Sequence, residues 1–318
     1  MTEIGCISIQ GVPLSQWSDK ELTVWINNHI KEIGKYRIRY STLNTWIGIL
    51  RVFDECDAPM TVRQVFYQLE TRRFVPKTEN GYKQTAKNLL KMRKSGIIPY
   101  HFITDNTRWI RRPQTYRDLA DFLAISKETY RRSVWAFQPV YVEIWIEKEA
   151  LIGVINETTR IFDVPLVPCK GYPSETLLYE AADDIKRQNK PAYIYYFGDF
   201  DPTGKDIPRH IEKTLRGFGA EFSFEVMAVT DEQIQTYHLP TRPTKKKDTR
   251  AKKWQGDSVE LDALPPRILR DMVKSCIERH IDSKNLEITK KSEDLERETL
   301  EQIMSQLGTS PQFGDVTG

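Results

Sequence analysis

Glu147 directly follows the apolar run Val142-Glu143-Ile144-Trp145-Ile146. Asp199 and Asp201 follow a second run, Ala192–Phe197, in Gly198-Asp199-Phe200-Asp201-Pro202-Thr203-Gly204. Two aspartates one residue apart on a turn can aim oxygens at one hard cation. A glutamate from a neighbouring strand completes an oxygen cradle suited to Mg2+, with Mn2+ as a substitute. A cation there can stabilise charge on a phosphodiester as it is cleaved. Asp-x-Asp alone reads more readily as a turn or a helix cap. Glu147 moves the reading towards metal. Lys170, on the glycine turn Cys169-Lys170-Gly171, is either a phosphate contact or an exposed turn lysine.

Two basic stretches suit a polyanion. Arg242, Lys245, Lys246, Lys247, Arg250, Lys252 and Lys253 stand against Asp248 alone, in an expected loop between Pro240 and Gly256. Loops this basic track nucleic-acid backbone, and a solvated loop is the plain alternative. Lys83, Lys87, Lys91, Arg93 and Lys94 share one expected helix. They face either phosphates or water.

The elements that would position these residues follow from periodicity. Apolar stripes predict helices over residues 15–33 and 41–55, the second capped by Ser41 and ended before Pro59. Thr61 should cap a third helix carrying Val62, Val65, Phe66 and Leu69 inward. Asn80 should open a fourth, through about Lys94, with Gly96 as its C-cap. The run Gly96–Thr104 is read as a wing hairpin, which makes the helix pair before it a winged-helix unit. Beyond Pro139 the pattern alternates. Strands are predicted at Val140–Ile146, Ala192–Phe197 and Phe222–Val229, with helices at Glu149–Thr159, Ser174–Gln188 and Gly204–Arg216. This predicts an α/β part with a mainly parallel sheet, behind a mostly helical N-terminal part. Open α/β sheets put their sites at the carboxyl edge, where all three carboxylates fall. Residues 265–307 read as helical, and 308–318 as a loose tail.

Charge is partitioned along the 318 residues. Residues 1–60 hold 6 basic and 7 acidic side chains, residues 61–137 hold 16 and 6, and residues 138–318 hold 25 and 31. A basic middle before an acidic second half suggests polyanion binding followed by metal binding. The 29% charged and 39% hydrophobic content excludes a mainly disordered chain. No apolar run approaches the roughly 20 residues that span a bilayer, and the first ten residues carry no secretory signal pattern. Cys6, Cys56, Cys169 and Cys276 lie far apart without a CxxC pair, which speaks against a zinc or disulfide framework. A cytoplasmic, nucleoid-associated protein is expected.

Read in order, the motifs resemble one family. Ile146-Glu147-Lys148-Glu149-Ala150 looks like the glutamate motif of a Toprim domain. Cys169-Lys170-Gly171-Tyr172-Pro173-Ser174 resembles the Gly-Lys-Gly-Tyr-Pro segment of the topoisomerase VI A subunit and its meiotic double-strand-break relatives. Asp199-Phe200-Asp201-Pro202-Thr203-Gly204 resembles their Asp-x-Asp-Pro-x-Gly. Val259-Glu260-Leu261-Asp262-Ala263-Leu264 looks like their Glu-x-x-Ala-Leu segment. The likeness spans roughly residues 58–282 and is nearest to the small stand-alone relatives called Mini-A. Cys169, Ser174 and the stretch Glu79–Arg112 depart from the family pattern.

The resemblance implies a helical extension over 1–57, a CAP-like winged-helix domain over 58–137, and a Toprim domain with C-terminal helices over 138–307. It implies that Tyr67, four residues after Arg63, attacks a DNA phosphate and stays linked to the 5′ end, with Arg63 assisting. The plain alternative is that Tyr67 packs beside Phe66. Glu147, Asp199 and Asp201 would hold Mg2+. Glu260 would support a second metal or brace the sheet. Double-stranded DNA, a second copy of the chain and a separate ATPase subunit are the implied partners. The chain carries no Gly-x-x-x-x-Gly-Lys-Ser/Thr loop for ATP. Two other readings stand beside this one. One is a hydrolytic Toprim nuclease of a plasmid-defence type with Tyr67 structural. The other is a non-catalytic DNA-binding protein.

Overall fold

The computed structural model describes residues 8–9, 11–33, 38–56, 58–104, 113–243, 254 and 256–306. The expected tail at 308–318 and the basic residues Lys245, Lys246, Lys247 and Arg250 lie outside them.

A short hairpin, β1 (Ser8–Ile9) with β2 (Val12–Pro13), leads into α1 (Asp19–Ile33) and α2 (Tyr40–Cys56). In α2 the expected stripe of Leu43, Trp46, Ile47, Leu50 and Phe53 is buried. Next comes α3 (Val62–Thr71). Thr61 caps it with a reciprocal box: its hydroxyl accepts the Gln64 N–H at 3.1 Å, and the Gln64 side chain accepts the Thr61 N–H at 3.0 Å. The fourth helix, α4 (Glu79–Lys94), starts from Thr78 rather than Asn80, because the Thr78 hydroxyl accepts the Gly81 N–H at 3.0 Å. Gly96 follows its C-cap at φ +73°, as expected of a terminating glycine.

The run Gly96–Thr104 corrects the sequence reading, since it forms no hairpin. Ile97 and Ile98 are buried and return their N–H groups to the Met92 carbonyl at the end of α4. Tyr100–Phe102 makes a single 3-10 turn, and Ile103 bridges in parallel to Met60. The backbone bonds a hairpin would need are already made to α4 and to the entry of α3. After this, α5 (Leu119–Thr129) adds a helix that sequence periodicity did not signal.

From residue 141 the chain alternates between strand and helix. The strands are β3 (Tyr141–Ile146), β4 (Leu166–Pro168), β5 (Ala192–Phe197) and β6 (Ser223–Ala228). All pair in parallel, in the order β4-β3-β5-β6. The helices between and after them are α6 (Ile152–Ile161), α7 (Glu175–Gln188), α8 (Pro202–Gly217), α9 (Asp231–Thr236), α10 (Pro266–Glu278) and α11 (Ser283–Gln306). The short β4 was absent from the sequence reading, because three residues give no alternation to detect.

Side chains alternate across the sheet, so β3 feeds two cores. Tyr141 and Trp145 pack with Leu178 of α7 and Ile207 and Ile211 of α8. Val142, Ile144 and Ile146 pack on the other face with Val154 of α6 and Leu269 of α10. That second core runs on without a break through Val65 and Leu69 of α3 to Trp46 of α2 and Ile26 of α1. The N-terminal helices and one sheet face therefore share one apolar interior. Among the described residues no helix is long and apolar enough to cross a membrane.

Candidate active site

The carboxyl edge of the sheet brings the separated motifs together. Glu147 extends the β3 ladder by one bond, its N–H donating to the Phe197 carbonyl at 2.8 Å. Its Oε2 accepts the Asp199 N–H at 2.8 Å and the Tyr196 hydroxyl at 3.4 Å. Phe200 and Val259 exchange backbone bonds of 2.8 and 2.9 Å, which fastens the Asp199–Asp201 turn to the Glu260 segment. Asp199 Oδ1 accepts the Leu261 N–H at 2.8 Å. Asp201 caps α8, its Oδ1 accepting the Gly204 N–H at 2.7 Å, with Pro202 as the first helical residue. The cap and ligand readings of Asp-x-Asp are thus compatible, since the cap uses one oxygen.

Crowding acids at a buried edge has an electrostatic consequence. Burial first, and the Asp199 charge second, push the Glu147 carboxyl up to about 7. Burial also raises Asp199, against the pull of Lys148. Among the described residues, no three acid, imidazole or thiol groups already converge as a cation cage. The donor set still suits a hard divalent ion: oxygen-only, with like charges whose repulsion a cation would relieve.

A second ring lies beside the first. Lys148 Nζ meets Asp262 at 2.6 Å, Asp199 at 3.0 Å and Glu260 at 3.2 Å. Burial opposes its charge, but these three carboxylates hold its pKa above the ordinary lysine value. Glu260, 3% exposed, also receives Arg63 of α3 at 2.7 Å and the guanidinium of Arg242. Burial would raise this carboxyl, yet Lys148, Arg63 and Arg242 overcome it and hold Glu260 at about 2. Arg242 is itself fixed by paired backbone bonds to Ser258 of 2.9 and 2.8 Å. The Thr61 hydroxyl reaches Asp262 at 3.4 Å. The start of α3 is therefore tied to the acidic edge through side chains from both parts of the chain.

Tyr67 sits one turn beyond Arg63, 8% exposed, its ring tilted against Phe66 with centroids 5.5 Å apart. Burial, then the Glu260 carboxylate, push its hydroxyl up to about 12 despite Arg242, Lys148 and Arg63. It lines a pocket of about 290 Å3 with Arg63, Arg242, Lys77 and Glu260. Arg63 also lines a larger cleft of about 720 Å3, whose walls include Arg93, Glu147, Lys148, Lys170 and Asp262. Lys170, at φ +53°, pairs with Glu149 at 2.8 Å on the rim.

The helix lysines are placed differently. Tyr82 and Arg93 of α4 line the cleft, whereas Lys83 and Lys87 are exposed and Lys91 is half-buried on the adjoining face. Lys83 pairs with Glu79 at 2.7 Å. Two participants escaped the sequence reading, Lys148 and Asp262, whereas Arg93 is one of the helix charges it weighed as a phosphate contact. Lys148 had a visible signal, being flanked by Glu147 and Glu149 in one motif. Asp262 had none, because only folding brings it to the edge.

No family model matches the chain, and no curated protein is significantly similar to it.

Proposed function

We propose that this chain is a divalent-cation-dependent enzyme that cleaves double-stranded DNA by transferring a backbone phosphate to Tyr67, in the manner of the topoisomerase VI A subunit. The observation that carries this reading is the single cleft in which Arg63, Arg93, Lys148 and Lys170 face Glu147 and Asp262. Cations suit a DNA backbone, and carboxylates beside them suit a metal. On this reading α3 and α4 are the DNA-binding helices of a unit that lacks the wing expected at Gly96–Thr104, and the parallel sheet with its covering helices is a Toprim unit. The enzyme works as a homodimer and depends on a separate ATPase for strand passage.

In the proposed reaction the Tyr67 oxygen bonds to phosphorus as the bond from phosphorus to the 3′ oxygen breaks. The tyrosine proton leaves, and the departing 3′ oxygen takes one up, so the proton count is unchanged. Arg63 donates to the phosphate oxygens as charge builds there. Glu147, Asp199 and Asp201 would hold a divalent ion, whose charge offsets that of the phosphate.

One observation favours hydrolysis as a second reading. Tyr67 is buried and its hydroxyl stands at about 12, so it is a weak nucleophile in this arrangement. Supercoiled plasmid with Mg2+ or Mn2+ separates the two. Wild type is expected to leave protein on 5′ ends after detergent, released by protease. Tyr67→Phe and Asp199→Ala should both be inactive. Free ends from both wild type and Tyr67→Phe, with Asp199→Ala inactive, would replace transesterification with hydrolysis.

A further inference from the structure

Two arginines from distant parts of the chain, Arg63 on α3 and Arg242 after α9, converge on the one carboxylate of Glu260. Glu260 is almost fully buried, while the side chains of Arg63 and Arg242 remain 48% and 34% exposed. Both arginines line the pocket of about 290 Å3 that also contains Tyr67 and Lys77. A guanidinium offers five N–H donors, and a single carboxylate cannot engage all those of two guanidinia. Each guanidinium is thus held through one nitrogen by Glu260, and both side chains line the pocket, with donors that Glu260 does not use. Paired planar forks match the oxygens of a phosphate better than flexible ammonium groups do.

We infer that the pocket beside Tyr67 is an anion site that grips a nucleic-acid backbone phosphate between Arg63 and Arg242, with Glu260 as the positioning residue for both. The site stands on the geometry alone. Only the naming of the anion as backbone phosphate rests on the proposed function. Glu260 accordingly serves as a brace rather than as a ligand of a second metal. Its oxygens are turned to Lys148, Arg63 and Arg242.

Arginine labelling with phenylglyoxal, read by peptide mass spectrometry in EDTA, tests this without any cleavage. Pyrophosphate is the first probe. It should slow labelling of Arg63 and Arg242 at least fivefold and leave the exposed Arg187 and Arg216 unchanged. Equal slowing at all four, or none at Arg242, would overturn the site. Arg242→Gln should abolish protection of Arg63, with the fold checked by circular dichroism. If that variant does not fold, Arg242→Lys retains the charge and should still lose most of the protection; full protection would overturn the paired-fork geometry.

Glu260→Gln, with an unchanged circular dichroism spectrum, should speed labelling of both arginines at least threefold before any probe is added. Unchanged rates would remove Glu260 from the positioning role. A 5′-phosphorylated tetranucleotide should protect at a concentration at least tenfold below that of pyrophosphate. The reverse order would make this a free-polyphosphate site and overturn the backbone assignment. Failure of the plasmid reaction leaves these labelling results standing, so the two readings can fail separately.

Discussion

At the residue scale, the balance between burial and partners decides which acids stabilise the fold. Glu143 lies on β3, 3% exposed, accepting the Tyr141 hydroxyl at 2.8 Å and the Trp145 indole N–H at 2.6 Å. Burial outweighs these two donors and raises its pKa above 4.5. The folded state therefore binds this proton more tightly than the unfolded chain does. Its stabilising contribution is complete below 4.5 and is lost as pH rises through the folded value. Glu143→Gln should flatten the decline of Tm with rising pH above 4.5; an unchanged slope would count against it. Glu260 has the opposite sign. Held at about 2, it stabilises the fold above 4.5 and loses that effect as pH falls towards 2. Allowing for water around the half-exposed Arg63, that contribution is about 2 kcal/mol. Urea unfolding at pH 7 and at pH 3 should show a smaller pH difference for Glu260→Gln than for wild type.

At the element scale, the turn from β5 into α8 is tightly constrained. Asp199 and Asp201 are held by different bonds on either side of Phe200, and Gly204 lies against the Asp199 carbonyl. A methyl at position 204 would overlap that carbonyl oxygen, and the obstacle is backbone rather than a movable side chain. Gly204→Ala is expected to destabilise the protein by roughly 2 kcal/mol and to shift the two aspartates relative to each other. Thermal unfolding would show this as a drop of several degrees. A variant with wild-type Tm would mean the turn relaxes freely. The same logic explains why the expected wing did not form at Gly96–Thr104. Ile97 and Ile98 gain more by closing over the end of α4 than by standing in an exposed ribbon.

At the scale of the whole molecule, one apolar interior joins the N-terminal helices to a sheet face. Polar ties run beside it: Arg270 of α10 donates to the Cys56 carbonyl at 2.7 Å, and Lys77 reaches the Thr241 carbonyl. Parts that share a core cannot lose it separately at low cost. Scanning calorimetry should therefore give one cooperative transition for the chain. Two resolved transitions would show the helical part and the sheet part melting as independent units. The shared core also fixes α3 over the acidic edge, so the cleft depends on both parts being folded.

The local signals were legible in the sequence alone because they depend on neighbours along the chain. Helical stripes, the Thr61 cap, the Gly96 stop, strand–helix alternation and the carboxylates at strand ends all appear where periodicity and capping chemistry put them. The first acid cluster was legible for the same reason, since parallel strands align their carboxyl ends. Tertiary structure alone decided what surrounds it. Lys148 against Asp199 and Asp262, and Arg63 and Arg242 on one buried carboxylate, are contacts between residues up to 197 positions apart. No spacing rule encodes such meetings. They follow from which faces must be buried, and packing the whole chain around one core settles that.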